Sequence, residues 1–131
     1  MRNASHTAKG FTLLELMIGL AVIAILSTIA YPLYTSYVRK GHRTAAQTSL
    51  MELAARQASW RITHTSYGDM SYIIGLSPSI ADPSSRYYSF SVTATATTFS
   101  LSAIPQGGQS TDDCGSLSMS QNLSGSPSEC W

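Results

Sequence analysis

Apolar and polar positions divide this 131-residue chain into two stretches with different solvents. From Leu16 to Val38 there is no charged residue. As a helix this stretch spans roughly 34 Å, enough to cross a hydrocarbon core of about 30 Å. Beyond Val38 the apolar positions narrow to Ala46, Leu50, Leu53, Gln57 and Trp60, a helical stripe with one polar interruption. The pattern predicts one helix from Phe11 to Trp60 or a little beyond, in lipid at its start and covering a small sheet at its end. Pro32 removes the hydrogen bond to the Thr28 carbonyl and predicts a kink. Gly41 costs about 1 kcal/mol relative to alanine. Arg39, Lys40, Arg43, Glu52, Arg56 and Arg61 lie mostly off the stripe and are expected on a solvated face.

After the helix the period changes from 3.6 to two. Thr63 to Arg86, with Gly68, Gly75, Pro78 and Pro83, predicts a turn-rich loop with short irregular structure. Tyr88, Phe90, Val92 and Ala94 then alternate with Ser and Thr, and Phe99, Leu101 and Ala103 repeat the alternation. These predict a hairpin with one buried face per strand. Leu117 and Met119 predict a third, shorter strand, and a weak fourth falls near the carboxyl end. The residues after Thr63 are too few to bury much unless the helical stripe supplies the second layer. The expected fold class is therefore α+β, a long amino-terminal helix packed on a small antiparallel sheet. The expected divisions are a leader over 1–10, the helix over 11–62 and a polar head over 63–131.

Charge and sulfur add a compartment. The net charge of +1 argues neither for nor against nucleic acid, and nothing in the polar half supports such a partner. Arg2 and Lys9 make a basic start, but Arg39, Lys40 and Arg43 beyond the apolar run leave the positive-inside rule nearly tied. Cys114 and Cys130 suggest one disulfide formed in an oxidising space, with two free buried thiols as the plainer alternative. The carboxyl end is then expected outside the cytoplasm. Glu15 is the one acid at the edge of the apolar run. A charge at mid-bilayer costs about 2.5–3.5 kcal/mol on insertion scales; nearer the helix end the cost is smaller but still favours a partner.

Gly10, Phe11, Thr12, Leu13, Leu14 and Glu15, with the apolar run to Pro32 and its continuation from Tyr31 to Val38, resemble the type IV pilin and pseudopilin signature. The resemblance implies that a prepilin peptidase cuts between Gly10 and Phe11 and methylates the new amino terminus. It implies that Glu15 meets the terminal amine of an adjacent subunit during assembly. Opposite charges at about 4 Å and an effective dielectric near 20 attract by about 4 kcal/mol, comparable with the insertion cost before desolvation. The family's helices bend and partly unwind in the fibre, which Pro32 matches. Many relatives have a glycine eight residues before that proline, where this chain has Ala24. Pilins often carry a carboxyl-terminal disulfide loop, and Cys114, Gly115, Leu117 and the final Cys130-Trp131 further resemble a group of minor pilins. Trp131 is expected to pack on the sheet.

The sequence shows no constellation of residues that would carry catalysis. His6 lies in the leader, and His42 and His64 are far apart, so no metal-ligand spacing appears. Asp112 and Asp113 are expected in a solvated turn. No nucleophile elbow or phosphate loop occurs, so neither a catalytic site nor a cofactor is expected. The expected function is a structural subunit, a minor pilin of a type IV pilus, inserted in the inner membrane and assembled into or priming a helical fibre used for motility, adhesion or DNA uptake. Its expected partners are other pilin subunits, the prepilin peptidase and the inner-membrane assembly machinery. A major pilin and a type II secretion pseudopilin are the near alternatives. A membrane-anchored binding module is the alternative from another class, and such a tether has no need of Glu15.

Overall fold

The computed structural model describes residues 10–75 and 86–131. The chain divides into two units, Met1–Tyr37 and Val38–Trp131. Helix α1, Leu13–Thr63, contributes to both.

In the first unit α1 begins because Thr12 caps it. The Thr12 Oγ1 accepts a hydrogen bond from the Glu15 amide at 3.2 Å, one of the donors a helix start leaves unpaired. The helix thus starts at Leu13 rather than at Phe11. It continues through Ala24 and Pro32. Every described side chain of this unit is exposed except the half-buried Thr35. The hydroxyls in the apolar run are satisfied by the helix itself: Ser27 donates to the Ile23 carbonyl, Thr28 to Ile25 and Thr35 to Pro32, at 2.7–2.9 Å. Such back-bonding lets hydroxyl residues stay in an apolar helix without an outside partner.

The second unit is a helix-on-sheet layer. Strands β1 (Tyr88–Ala94), β2 (Phe99–Pro105), β3 (Leu117–Ser120) and β4 (Gly125–Ser126) form one antiparallel sheet in sequential order. The hairpin register pairs Val92 with Leu101 and Phe90 with Ala103. It closes on Thr95, whose amide donates to the Thr98 carbonyl and whose hydroxyl oxygen accepts from the Thr97 and Thr98 amides. Leu101, Ala103, Leu117 and Met119 face inward onto Ala46, Leu50, Leu53 and Ala54 of α1, while the serines between them face out. Fully burying a leucine contributes about 1.5–3 kcal/mol, and Leu50, Leu53, Leu101 and Leu117 are all fully buried. The expected stripe is the observed one, with Ala54 added and Trp60 partly buried against the core.

Gln57 explains the polar interruption. Its side chain is fully buried, and its amide bonds Gly68 both ways: Nε2 donates to the Gly68 carbonyl at 2.6 Å and Oε1 accepts from the Gly68 amide at 3.0 Å. A buried polar group is tolerated when it is satisfied in this way. The stretch expected as a loop also holds a short helix, α2 (Met70–Gly75). Asp69 starts α2 by accepting from the Ser71 and Tyr72 amides, and the buried Ile73 joins α2 to the core. Pro78 and Pro83 of that loop lie outside the described residues.

Candidate assembly interface

The residues expected to carry function fall at two places. Gly10, Phe11, Glu15 and Pro32 lie in the first unit. Phe11 is 80% exposed, and a methyl group added at Gly10 would meet nothing within 4 Å. Packing therefore gives no reason for glycine there. Glu15 is the third residue of α1, the first-turn position where the helix dipole favours an anion by typically 0.3–1 kcal/mol. Thr12 and Glu15 have the spacing of a capping box, a signal already present in the sequence alongside the signature. The dipole term is smaller than the cost of a charge at mid-bilayer, and Glu15 lies nearer the helix end, where that cost is lower.

Cys114 and Cys130 lie in the second unit and are joined as a disulfide. Three side chains bind the carboxyl-terminal segment from Gln109 to Cys130 to one side of α1. The Gln109 amide donates to the Arg39 carbonyl at 3.0 Å and to the Tyr88 hydroxyl at 3.2 Å. Arg43 makes a two-pronged bond to Asp112, Nε to Oδ2 at 2.9 Å and Nη2 to Oδ1 at 2.5 Å. The Gln47 amide donates to the Cys130 carbonyl at 2.5 Å. Arg39, Arg43 and Gln47 are four apart, so they stack along one edge of the helix.

Two expectations are corrected here. Arg43 does not lie on a solvated face, and Asp112 is not in a solvated turn: the Asp112 side chain is only 3% exposed in the ion pair. The reason is geometric, because a planar guanidinium can satisfy both carboxylate oxygens at once and so offset their burial. The hydrogen bond to Asp112 raises the Arg43 guanidinium above its ordinary value, and burial opposes the shift. Burial likewise pushes the Tyr88 phenol up. Arg56 is held to Glu52 at 2.7 Å on the same helix. Trp131 packs against the core as expected, lying so close over Gly125 that a Cβ there would fall 2.2 Å from the indole ring. Among the described residues no three His, Cys, Asp or Glu side chains gather to hold a metal ion.

The family model described as "Type IV minor pilin ComP, DNA uptake sequence receptor" matches residues 32–118, about two thirds of the chain. The chain belongs to this type IV minor pilin family. The prokaryotic N-terminal methylation motif matches residues 5–31. A type IV pilin of known structure from Shewanella oneidensis is 30% identical, with a TM-score of 0.56 over 71% of this chain and 97% of that one. Type IV major pilin protein PilA of Myxococcus xanthus is 37% identical over 70 residues, 53% of this chain and 32% of that protein. Fimbrial protein Q of Moraxella bovis is 56% identical over 39 residues, 30% of this chain and 25% of that protein. The match thus spans about a quarter to a third of these curated relatives' length.

The α+β fold of a long helix on a four-stranded antiparallel sheet is the pilin fold. Two features of the site were not legible in the pattern of residues. The Arg43–Asp112 pair joins positions 69 apart in sequence, with no periodic signal to link them. Gln47 carries no signature at all, since its partner is a backbone carbonyl.

Proposed function

We propose that this pilin is a minor subunit of a type IV pilus, held in the inner membrane by the first half of α1 and then drawn into a fibre. The observation that carries this reading is an apolar helical segment whose described side chains are almost all exposed, interrupted by the single anion Glu15. Exposed apolar surface of this extent needs a non-aqueous cover, first lipid and then neighbouring helices. Gly10, which packing does not require, is the residue before the proposed cut, and Phe11 becomes the methylated amino terminus. Glu15 takes the amine of an adjacent subunit as its partner, and Pro32 leaves the Thr28 carbonyl free to adapt as helices pack. The role is structural rather than catalytic, and the partners are other pilin subunits, the prepilin peptidase and the inner-membrane assembly machinery.

The family's description as a DNA uptake sequence receptor raises a second role for the head. The net charge of the head argues neither for nor against that role. Arg39, Lys40, Arg43, Arg56, Arg61 and Arg86 are balanced by Glu52, Asp69, Asp82, Asp112, Asp113 and Glu129, and Arg43 and Arg56 are already paired.

Mass spectrometry of sheared surface fibres tests the main reading. The chain is expected there at low stoichiometry, beginning at Phe11 and methylated. Glu15→Ala is expected to insert and be cut normally but to enter fibres on the order of tenfold less, the factor given by each 1.4 kcal/mol of lost pairing. A chain that still begins at Met1 and stays in the inner membrane overturns the proposal; a chain that forms the bulk of the fibre makes it a major subunit.

A further inference from the structure

Beside the disulfide, α1 and the β3–β4 hairpin enclose an apolar hollow of about 380 Å³. Met51, Ala54, Ala55 and Ala58, brought to one face by steps of three and four, form its helical wall. Met119, Leu123 and Trp131 close the other side. None of the six charged residues between Arg39 and Arg61 lines it, although all belong to the same part of the helix. The three alanines leave that wall without any side chain beyond Cβ, so it is flat.

Two features set the hollow apart from an ordinary packing gap. The Trp131 indole lies over Gly125, and its Nε1–H is buried without an acceptor among the described residues. A buried indole N–H ordinarily has a partner. Leu123 stands at the rim, 67% exposed and at φ 58°, in the left-handed region that leucine rarely occupies. Backbone strain of this kind clusters at ligand clamps and binding sites.

We infer that this hollow is a binding site for a small, uncharged, planar aromatic molecule that carries one hydrogen-bond acceptor. The inference concerns the head alone and goes beyond the fibre-subunit reading, on which it does not depend. Each property of the ligand comes from the wall it meets. The ligand is uncharged because no lining side chain can pair with a charge taken out of water. It is aromatic because the indole and the thioethers of Met51 and Met119 favour contact with a ring, and because the flat alanine wall takes a planar face without gaps. A dry cavity of about 150 Å³ in another protein holds benzene, so this hollow has room for roughly two fused rings. The acceptor answers the Trp131 Nε1–H, which a small turn of the indole brings to the ligand. A mostly apolar pocket with one polar group to fix orientation is the usual form of a small-molecule site.

Quinoline, two fused rings with one ring-nitrogen acceptor, is the probe. It is titrated at neutral pH into the full chain in detergent, and the indole N–H and methionine methyl NMR signals are followed. The Trp131 Nε1–H is expected to move downfield and saturate together with the Met51 methyl. Trp60 is the internal control: it lies two residues past Ala58, hence on the far side of the helix, and is stacked on His64 at 3.6 Å, so its signal should stay still. Ala58→Phe, at an exposed position, places a ring in the hollow; it is expected to leave the melting of the head unchanged and to weaken quinoline binding at least about tenfold. Should that variant melt lower, Ala55→Gln at a second exposed wall position reads the same loss. Shifts that never saturate, that move Trp60 equally, or that survive the wall substitutions overturn the site. Decanoate binding as tightly as quinoline would give the hollow to an acyl chain, and a Trp131 signal that moves on dilution without probe would give it to a second copy; either result overturns the inference.

Discussion

The first half of α1 and the second half use the same backbone for opposite ends. In residues 13–37 the apolar side chains are exposed on all sides, and the local structure is complete without any tertiary contact: Thr12 caps the start and the hydroxyls bond back to the helix. In residues 38–63 one face is apolar and buried, and the Arg43, Gln47 and Gln57 side chains each have a named partner in the head. The difference teaches that burial in this chain is decided by solvent rather than by hydropathy. A helix meant for lipid or for other helices keeps its apolar surface free, whereas a helix that anchors a domain gives one stripe to it. Helical propensity alone would not separate the two, whereas the pattern of hydrophobic positions does.

The largest test of that contrast is a matched pair of leucines. Leu50→Ala removes a fully buried side chain and is expected to destabilise the head by about 2–5 kcal/mol, the range for large-to-small core changes. Leu20→Ala makes the same chemical change at a residue 67% exposed, and is expected to leave head unfolding unchanged in detergent. Thermal melts of the two detergent-purified full-length variants read the difference directly. Equal losses would mean that the two halves are not energetically distinct.

Much of this contrast was legible beforehand, and the rest for definable reasons was not. The apolar run, the stripe from Ala46 to Trp60 and the period-two alternation at Tyr88 and Phe99 all come from local periodicity, which one face of burial imposes on the sequence. The short helix α2 was missed because six residues hold less than two turns, too few for a period to show against Gly and Pro punctuation. The Arg43–Asp112 pair was missed because a charged residue on a helix is ordinarily solvated, and only the returning loop reveals otherwise. The cap at Thr12 is legible in the Thr12 to Glu15 spacing of a capping box.

A second, smaller effect is expected at that ion pair. Arg43→Met leaves the buried Asp112 carboxylate without its cation. Removing one partner of a fully buried pair costs about 3–5 kcal/mol, and the 19% exposure of Arg43 lowers the expectation to about 1–3 kcal/mol. The double variant R43M/D112L is expected to recover part of the loss, since apolar replacements of a buried pair are often close to neutral. A double-mutant cycle by chemical denaturation measures the coupling. No coupling would mean that Arg43 serves the loop only through its aliphatic stem.

The smallest effect belongs to Asp69 at the start of α2, and its sign is fixed by the hydrogen bonds. The Ser71 hydroxyl, followed by the amides of Tyr72 and Ser71, holds the Asp69 carboxyl below its ordinary value, with desolvation opposing. A carboxyl lowered on folding contributes stability that is present above the ordinary aspartate range near pH 3.9 and is lost as pH falls through the folded value. Wild type and Asp69→Asn should therefore differ by a constant amount at neutral pH and converge in acid. The place to look is the amide pair Ser71 and Tyr72, whose NMR shifts should titrate together in the wild type and stay flat in the variant. A convergence at alkaline rather than acidic pH would contradict the assigned sign, and a flat wild-type profile would remove Asp69 from the start of α2 altogether.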